Sequence, residues 1–275
     1  MKAIPACHPA SAAPRRRFIL GLLATGALLA GCATHAPHAE RAALAPTGTL
    51  RVAVYPGSPT SLVEAAAPES MRGVTVDIGR ALARTMGVPS EVVVYPRVAE
   101  VVAALQRGEA DFTITNASQE RAKLVDFARP LVDLELGVLA RPGSRIGNVE
   151  AMDQAGATIG VSQGSSSERV LGARLKQTRI RTFPNLDAAR NALLAGEIDA
   201  FATNKGILFE MAERAPGTRV LDGRWGAEHL APAIPKGRSA GKPYLESFIR
   251  DVQANGELEA ATKRAGLRGT LAPSP

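Results

Sequence analysis

Aromatic residues and cysteines are scarce in this 275-residue chain, and both shortages limit what the protein can do. Phe, Trp and Tyr together make up 4% of the residues, so stacking on rings cannot be its main means of recognition. Both cysteines, Cys7 and Cys32, lie near the N-terminus, which leaves the rest of the chain without a thiol for a disulfide, a metal cluster or a covalent nucleophile. We expect neither a metal site nor a cofactor.

The positive charge of the chain is modest once the N-terminus is set apart. The formal net charge is +7, but Lys2 and the three arginines at residues 15–17 lie in a first segment of 31 residues without an acidic residue, so the remainder carries 7 − 4 = +3. No stripe of Lys and Arg with interleaved aromatic residues follows. These features exclude nucleic acid as an expected partner.

The N-terminal segment has the composition of an export signal. Its three arginines at residues 15–17 precede an apolar stretch at 18–30, which is shorter than the roughly 20 apolar residues of a membrane span. The residues at the end of this stretch, Leu-Ala-Gly-Cys at 29–32, resemble a lipobox, at which bacterial lipoproteins are cleaved and acylated. We predict a signal peptide over residues 1–31, lipidation of Cys32, and a flexible tether over 32–48. The expected location is the periplasm or cell envelope, with export by either the Sec or the twin-arginine route.

Beyond residue 48, short apolar strands alternate with amphipathic helices in units of about thirty residues. An Arg-Pro-Gly-Ser break begins at Arg141, after which the alternation restarts. This order predicts mostly parallel sheets covered by helices. We expect two similar α/β lobes, over residues 49–140 and 141–227, with residues 228–275 returning to the first lobe as a strand and closing helices.

Residues 111–130 are the most informative stretch for function. An apolar strand ends there at small polar residues, and Arg121 follows in the first turn of a charged segment. Ligands of open parallel sheets bind at the carboxyl ends of strands, where helix N-termini also point. Backbone N–H groups and a guanidinium fork are well matched to a small anion. A second polar turn at residues 163–167 predicts that the ligand lies in a cleft between the lobes, which hinge motion would close.

Several stretches together resemble family 3 of the bacterial extracellular solute-binding proteins, the substrate-binding components of ABC importers for polar amino acids and related molecules. The matching stretches include Leu-Arg-Val-Ala-Val at 50–54, Gly-Val-Thr-Val-Asp-Ile at 73–78, Glu-Arg-Ala-Lys at 120–123, Ile-Gly-Val-Ser-Gln-Gly-Ser at 159–165 and Gly-Glu-Ile-Asp-Ala at 196–200. The resemblance covers essentially everything after the tether. It implies the two-lobed type II periplasmic-binding-protein fold, with an ABC permease as partner. We expect the protein to act as a monomer.

The resemblance also implies a set of ligand-binding residues, in which Arg121 pairs with the carboxylate of the ligand. The other members supply small polar side chains or backbone N–H groups, and they are Thr115, Asn116, Ser118, Gly164, Ser165 and Ser166. Arg97 and Lys205 are candidates for additional donors, each with a solvated surface charge as the alternative.

Two departures from the family pattern bear on the identity of the ligand. The Asp that takes an α-ammonium group in the family corresponds to Asn204, which keeps a hydrogen bond but has no charge. A buried ammonium without a counter-charge costs about 3–5 kcal/mol, enough to remove most of a micromolar affinity. The loop at residues 57–60 also lacks the ring that stacks on ligands in the family. We therefore hypothesise a small anion without a free α-amine, with a zwitterionic solute as the open alternative.

Two other functions stay open at this point. An enzyme on the same fold, similar to cyclohexadienyl or prephenate dehydratases, needs an acid or base in the cleft, for which Glu135, Asp77 and Asp126 are candidates. A ligand-sensing partner of a signalling receptor would use the same closure. We favour a binding protein over an enzyme, because these three carboxyls lie in segments that the pattern assigns to structural roles.

Overall fold

Strands and helices alternate over residues 38–63, 67 and 70–271, which the computed structural model describes. The strands are β1 (Leu50–Val54), β2 (Ser90–Val94), β3 (Thr113–Asn116), β4 (Val125–Phe127), β5 (Val132–Ala140), β6 (Thr158–Ser162), β7 (Arg179–Phe183), β8 (Ala200–Asn204), β9 (Arg219–Val220) and β10 (Gly226–Pro235). The helices are α1 (His38–Leu44), α2 (Val74–Met86), α3 (Val98–Gln106), α4 (Gln119–Ala122), α5 (Ser166–Arg174), α6 (Leu186–Leu194), α7 (Lys205–Glu213), α8 (Lys242–Ala254) and α9 (Glu257–Arg264).

The described strands form two hydrogen-bonded sheets. β1 and β2 pair in parallel, and a bridge between Val52 and Phe112 connects β1 to the segment that leads into β3. The larger sheet has the order β3-β10-β5-β8-β6-β7, with β4 beside β10 and β9 beside β5. Its strands β6, β7 and β8 are parallel, whereas β5 and β10 run antiparallel to their neighbours.

The buried apolar side chains divide the molecule into two lobes. The first lobe contains β1–β4, α1–α4, α8, α9 and the C-terminal half of β10, and the second contains β6–β9 and α5–α7. Successive side chains of a strand point to opposite faces, so Val52 packs on the α2 side of β1 and Ala53 on the α3 side. In the second lobe Ile159 packs on the α5 side, while Phe201 packs against α6 and α7. Helices therefore cover both faces in each lobe.

Strands β5 and β10 cross between the lobes. On β5, Leu134 belongs to the core of the first lobe and Leu136 to that of the second. Trp225, just before β10, packs in the second lobe, and Leu230 packs in the first. The crossing on β5 therefore lies earlier than the expected boundary at residue 140, because the apolar run of this strand contributes to both cores.

The N-terminal end of the described chain differs from the predicted tether. Residues 38–44 form α1, a helix built from good helix formers, and Leu44 is only 1% exposed. Leu44 packs closely on Gly241: a Cβ built on Gly241 would lie 2.6 Å from the Cγ of Leu44. The prediction of a flexible tether is thus wrong for this helix. The predicted signal peptide and Cys32 lie outside the described residues. Within those residues, no helix has the length and apolar character required to cross a membrane.

Candidate functional site

A cleft lies between the two lobes, where β1, β3, β6 and β8 end and where α5 and α7 begin. Its position is the one expected for open parallel sheets, because strand carboxyl ends and helix N-termini meet there. Its lining is rich in polar side chains from both lobes. They are Tyr55, Thr60, Arg97, Thr115, Asn116, Arg121, Ser162, Ser165, Ser166, Ser167, Asn185, Thr203, Asn204 and Glu228.

Arg121 projects from the first lobe and is 8% exposed. Its Nη1 donates to the Thr115 hydroxyl at 2.7 Å, and its backbone N–H donates to the Ser118 hydroxyl at 3.3 Å. Burial lowers the pKa of Arg121, and the negative charge of Glu228 opposes that effect. The guanidinium stays protonated, since the ordinary pKa of arginine is far above neutrality. Thr115 therefore orients a buried cation in the cleft, while Ser118 caps the short helix that carries it and does not line the cleft.

The start of α5 faces Arg121 from the second lobe. Ser165 caps this helix by accepting from the Glu168 N–H at 3.1 Å, and the side chain of Asn116 donates to the Ser166 hydroxyl at 3.1 Å across the cleft. The first N–H groups of any helix lack intrahelical acceptors and favour an anion. Ser165 and Ser166 line the cleft as predicted for this turn, whereas Gly164 does not, because its N–H donates to the Glu168 carboxylate.

Asn204 stands beside a carboxylate that the sequence analysis missed. Its side-chain Nδ2 donates to Glu228 Oε1 at 2.7 Å, and its Oδ1 accepts from the Ile207 N–H at 3.0 Å as the N-cap of α7. Glu228 is 8% exposed, and burial raises its pKa while Arg121 and Asn204 oppose that shift. The prediction that this end of the site lacks a negative charge is therefore wrong. The charge comes from β10, whose first residues, 226–229, carry no apolar pattern that marks a strand.

Tyr55 places an aromatic ring in the cleft wall, just after β1. The loop at residues 57–60 has no aromatic residue, as the sequence shows, but Tyr55 supplies an aromatic ring to the cleft wall. Burial raises the pKa of Tyr55, so its hydroxyl stays neutral, and the charges of Glu228 and Arg121 both act on it. The sequence could have indicated that Tyr55 lines the cleft, because this residue directly follows β1, at the strand's carboxyl end.

The two additional donors have different surroundings. Arg97 lines the cleft, where its Nη2 donates to the Glu100 carboxylate at 2.6 Å and its buried Nε has no hydrogen-bond acceptor among the described residues. Lys205 is not among the described residues that line the cleft, since its ammonium pairs with Glu135 on the crossing strand β5. The expectation that Lys205 contributes to the ligand site is therefore not met.

The carboxyls considered for catalysis lie outside the cleft lining. Glu135 pairs with Lys205 and Arg224, while Asp77 and Asp126 pair with surface basic residues on α9 and after β10. Residues 160–164, Gly-Val-Ser-Gln-Gly, match the Gly-x-Ser-x-Gly motif of a hydrolase nucleophile turn, and Ser162 lines the cleft. No histidine lines the cleft within the described part of the chain, so the Ser–His pair of such hydrolases is not found there.

The lobes touch each other across the mouth of the cleft. A Cβ built on Gly164 would lie 2.6 Å from the Cβ of Ala99, and one built on Gly57 would lie 3.1 Å from Leu186 Cδ1. Both glycines have positive φ, at +73° and +81°, where L residues are strained. Together with the hydrogen bond between Asn116 and Ser166, these approaches describe a closed arrangement.

Comparison with known proteins gives a family and a fold. The family model described as bacterial extracellular solute-binding proteins, family 3, matches residues 50–266. The ABC transporter glutamine-binding protein of Bacillus subtilis (strain 168) is 23% identical over 198 residues, covering 70% of this chain and 72% of that protein.

Two solved structures extend the comparison. An amino acid ABC transporter substrate-binding protein from Streptococcus pneumoniae, bound to L-arginine, has a TM-score of 0.73 and 22% identity, and the match covers 84% of this chain and 99% of that one. An ancestral amino acid-binding protein, described as a precursor of cyclohexadienyl dehydratase, has a TM-score of 0.69 and 25% identity, with 80% and 96% covered. The predicted two-lobed type II fold is confirmed by these likenesses.

Proposed function

The chain belongs to family 3 of the bacterial extracellular solute-binding proteins, and we propose that it is the substrate-binding component of an ABC importer. In this role it captures a small solute that bears a carboxylate, closes its lobes and delivers the solute to a membrane permease. The relative from B. subtilis is named for glutamine, and the one from S. pneumoniae holds L-arginine. Both ligands have an α-carboxylate, so we propose an amino acid as the ligand class.

The single observation that carries this proposal is the buried guanidinium of Arg121. Its one hydrogen bond to a described side chain goes to Thr115, and Glu228 acts on it through its charge and not through a hydrogen bond. A buried arginine favours a bidentate carboxylate partner, because two parallel N–H···O bonds replace the water lost on burial. The start of α5, across the cleft, supplies further N–H groups for the same carboxylate.

Closure follows from the placement of these donors on different lobes. Arg121 belongs to the first lobe and Ser165 and Ser166 to the second, so a carboxylate held by both is bound fully only when the lobes meet. A ligand with more contacts in the closed form shifts the population towards it. The permease would then distinguish the closed, loaded form from the open one.

Uptake of the bound amino acid by cells with and without the gene tests delivery, and equal uptake would contradict it.

Calorimetric titration of the purified protein with the proteinogenic L-amino acids and L-cystine tests the ligand class. Wild type is expected to bind at least one of them. Arg121→Ala should weaken that binding by about 30-fold or more, as expected when one partner of a buried charge pair is removed. Lys123→Ala is the matched control, because Lys123 is exposed on the same segment and pairs with Glu120. Wild type that binds none of the panel, or Arg121→Ala that binds as tightly as wild type, would contradict the proposal.

An enzyme is the second candidate, and the buried Glu228 carboxyl is the observation that favours it. A buried carboxyl with a raised pKa can act as a general acid. We expect no turnover, because Asn204 holds this carboxyl and no second titratable group of suitable pKa lines the cleft in the described part of the chain. Conversion of prephenate or a similar acid by the purified protein would favour the enzyme over the binding protein.

A further inference from the structure

We infer that the Glu228 carboxylate receives the α-ammonium group of the ligand, so that the cleft selects zwitterionic amino acids over simple organic acids. This inference rests on the proposed function, because it assigns the second end of a ligand whose first end is held by Arg121. It also replaces the hypothesis of a ligand without an α-amine, which depended on an absence of negative charge at Asn204.

Asn204 makes hydrogen bonds to two neighbours and holds Glu228 in place. Its Oδ1 accepts the Ile207 N–H of α7 at 3.0 Å, and its Nδ2 donates to Glu228 Oε1 at 2.7 Å. The amide oxygen is therefore already engaged in the helix cap, and it carries no negative charge to compensate an ammonium group. Glu228 Oε2, by contrast, has no donor among the described side chains and backbone groups, and it is not sealed from the cleft. Asn204 is thus a positioning residue, and Glu228 offers the free acceptor.

The charges of the cleft match a zwitterion. Glu228 is the one acidic residue among the described residues that line the cleft, and Arg121 is the most buried basic residue there. Each influences the other electrostatically without a hydrogen bond between them. A ligand that carries both signs can pair with each charge. An acid that lacks the amine would bring its carboxylate towards Glu228 without an ammonium to compensate, so repulsion would weaken its binding.

The environment of Glu228 agrees with this role. Burial raises the pKa of its carboxyl group, which means that the ionised form has fewer favourable partners than it would have in water. Arg121 and the Asn204 amide compensate for this loss only in part. A ligand ammonium at Oε2 would supply the missing hydrogen bonds and the opposite charge, which is the usual requirement for a buried carboxylate.

The test compares amino acids with their deamino counterparts on wild type and two variants. Suitable pairs are L-glutamine with 4-carbamoylbutanoate and L-arginine with 5-guanidinopentanoate, together with the corresponding pair for any other amino acid that binds. Calorimetry on wild type should show the amino acid binding at least about 100-fold more tightly than its deamino partner. This measurement needs no variant and therefore does not depend on a mutant's folding.

Glu228→Gln should lose at least about 100-fold in affinity for the amino acid and less than about 10-fold for the deamino acid. The swapped variant, Asn204→Asp with Glu228→Gln, keeps the net charge, a cap for α7 and a hydrogen bond between the two side chains. It should bind the amino acid within about 10-fold of wild type. Thermal unfolding of each variant shows whether its fold is retained.

The outcomes separate this inference from the proposed function. Tight amino acid binding by wild type that Glu228→Gln leaves unchanged, or equal binding of the deamino acids, would overturn the role of Glu228 and leave the importer proposal standing. A wild-type protein that binds no member of the panel would overturn both. Loss in Glu228→Gln with recovery in the swapped variant would establish a negative charge at this end of the cleft as the determinant.

Discussion

Arg121 and Glu228 carry opposite charges in one buried cleft, and neither neutralises the other by direct contact. Moving an ion out of water costs several kcal/mol unless other groups replace the water. Thr115 and Asn204 each replace one hydrogen bond, which leaves part of that cost uncompensated in the protein without ligand. A ligand with charges of both signs removes this deficit at both ends. On the proposed function, affinity and discrimination would therefore arise from the same two side chains.

Amino acid affinity is expected to fall as the pH drops through the raised pKa of Glu228. Its pKa is raised, so as the pH falls the carboxylate takes up a proton sooner than an ordinary glutamate would. Only the ionised form pairs with an ammonium, so affinity should be constant above the raised pKa and drop about tenfold per pH unit below it. Calorimetry across this range measures the profile.

The variants that check this profile follow from the groups around Glu228. Arg121, Tyr55 and His229 are the titratable groups whose charges act on it or are acted on by it, and Asn204 is its hydrogen-bond partner. Arginine and tyrosine do not titrate at acidic pH. Glu228→Gln should flatten the profile, and His229→Gln should keep it. A profile that persists in Glu228→Gln would assign the proton to another group.

At the scale of elements, one close approach between the lobes joins the turn before α5 to α3. Gly164 forms that turn at φ +73°, and its missing side chain lets Ala99 come near. Any Cβ at Gly164 would overlap the methyl group of Ala99, so the residue type at this turn determines how far the cleft can close.

Gly164→Ala should weaken ligand binding by about tenfold or more, because the added methyl group would hold the lobes apart. Gly156→Ala is the matched control. Gly156 also has a positive φ, at +78°, but no atom lies within 4 Å of a Cβ built there, so it shares the backbone strain without the cross-lobe overlap. The affinity ratio of the two variants isolates the effect on closure. Equal ligand affinities of the Gly164→Ala and Gly156→Ala variants would mean that the contact between the α5 turn and α3 does not limit closure.

Periodicity predicted most elements well where one chain segment determines them. The helix Leu186–Leu194 is an example, because an Asn cap and an apolar face mark it locally. The start of β10 was missed, since Gly226 to His229 carries no continuous apolar run. Glu228 was missed with it, and only pairing with β5 reveals that this residue is buried. The packing of Leu44 could not be predicted from the sequence either, because Gly241, on which it packs, is remote in the chain.

The same contrast holds for the candidate site. Arg121 and the serines of the α5 turn could be named from sequence, because a polar turn at a strand end marks each of them locally. Lys205 was misassigned, since its partner Glu135 is on a crossing strand that no local pattern connects to α7. Residues that meet only through sheet pairing between distant segments remain invisible to local patterns.

At the scale of the whole molecule, three segments connect the lobes. β5 and β10 cross between them, and the chain after α9 returns to β5, where the Glu135 N–H donates to the Gly269 carbonyl and the Leu271 N–H to the Asp133 carbonyl. Arg268 in the same segment lies over the Phe209 ring of α7, at 4.6 Å. The cleft mouth, by contrast, is held by Gly57, Gly164 and their neighbours without a covalent connection. Relative motion of the lobes should therefore open the mouth and keep the strands as the hinge.

A disulfide across the mouth would report this motion directly. A Cβ on Gly57 would lie 3.5 Å from Leu186 Cβ, which is within the range of disulfide geometry. The variant Gly57→Cys with Leu186→Cys, made with Ser at Cys7 and Cys32, contains no other thiol. Ligand shifts the lobes to the closed form, so the disulfide should form faster with a bound amino acid than without.

The strain of a side chain at Gly57, where φ is +81°, is present with and without ligand and therefore cancels from the ratio of rates. Each single cysteine variant should give no intramolecular bond, and the oxidised double variant should release its ligand more slowly than the reduced one. Mass spectrometry of the trapped thiols over time measures both rates. Equal rates with and without ligand would mean that capture does not depend on closing the lobes, and delivery of a closed form to a permease would lose its physical basis.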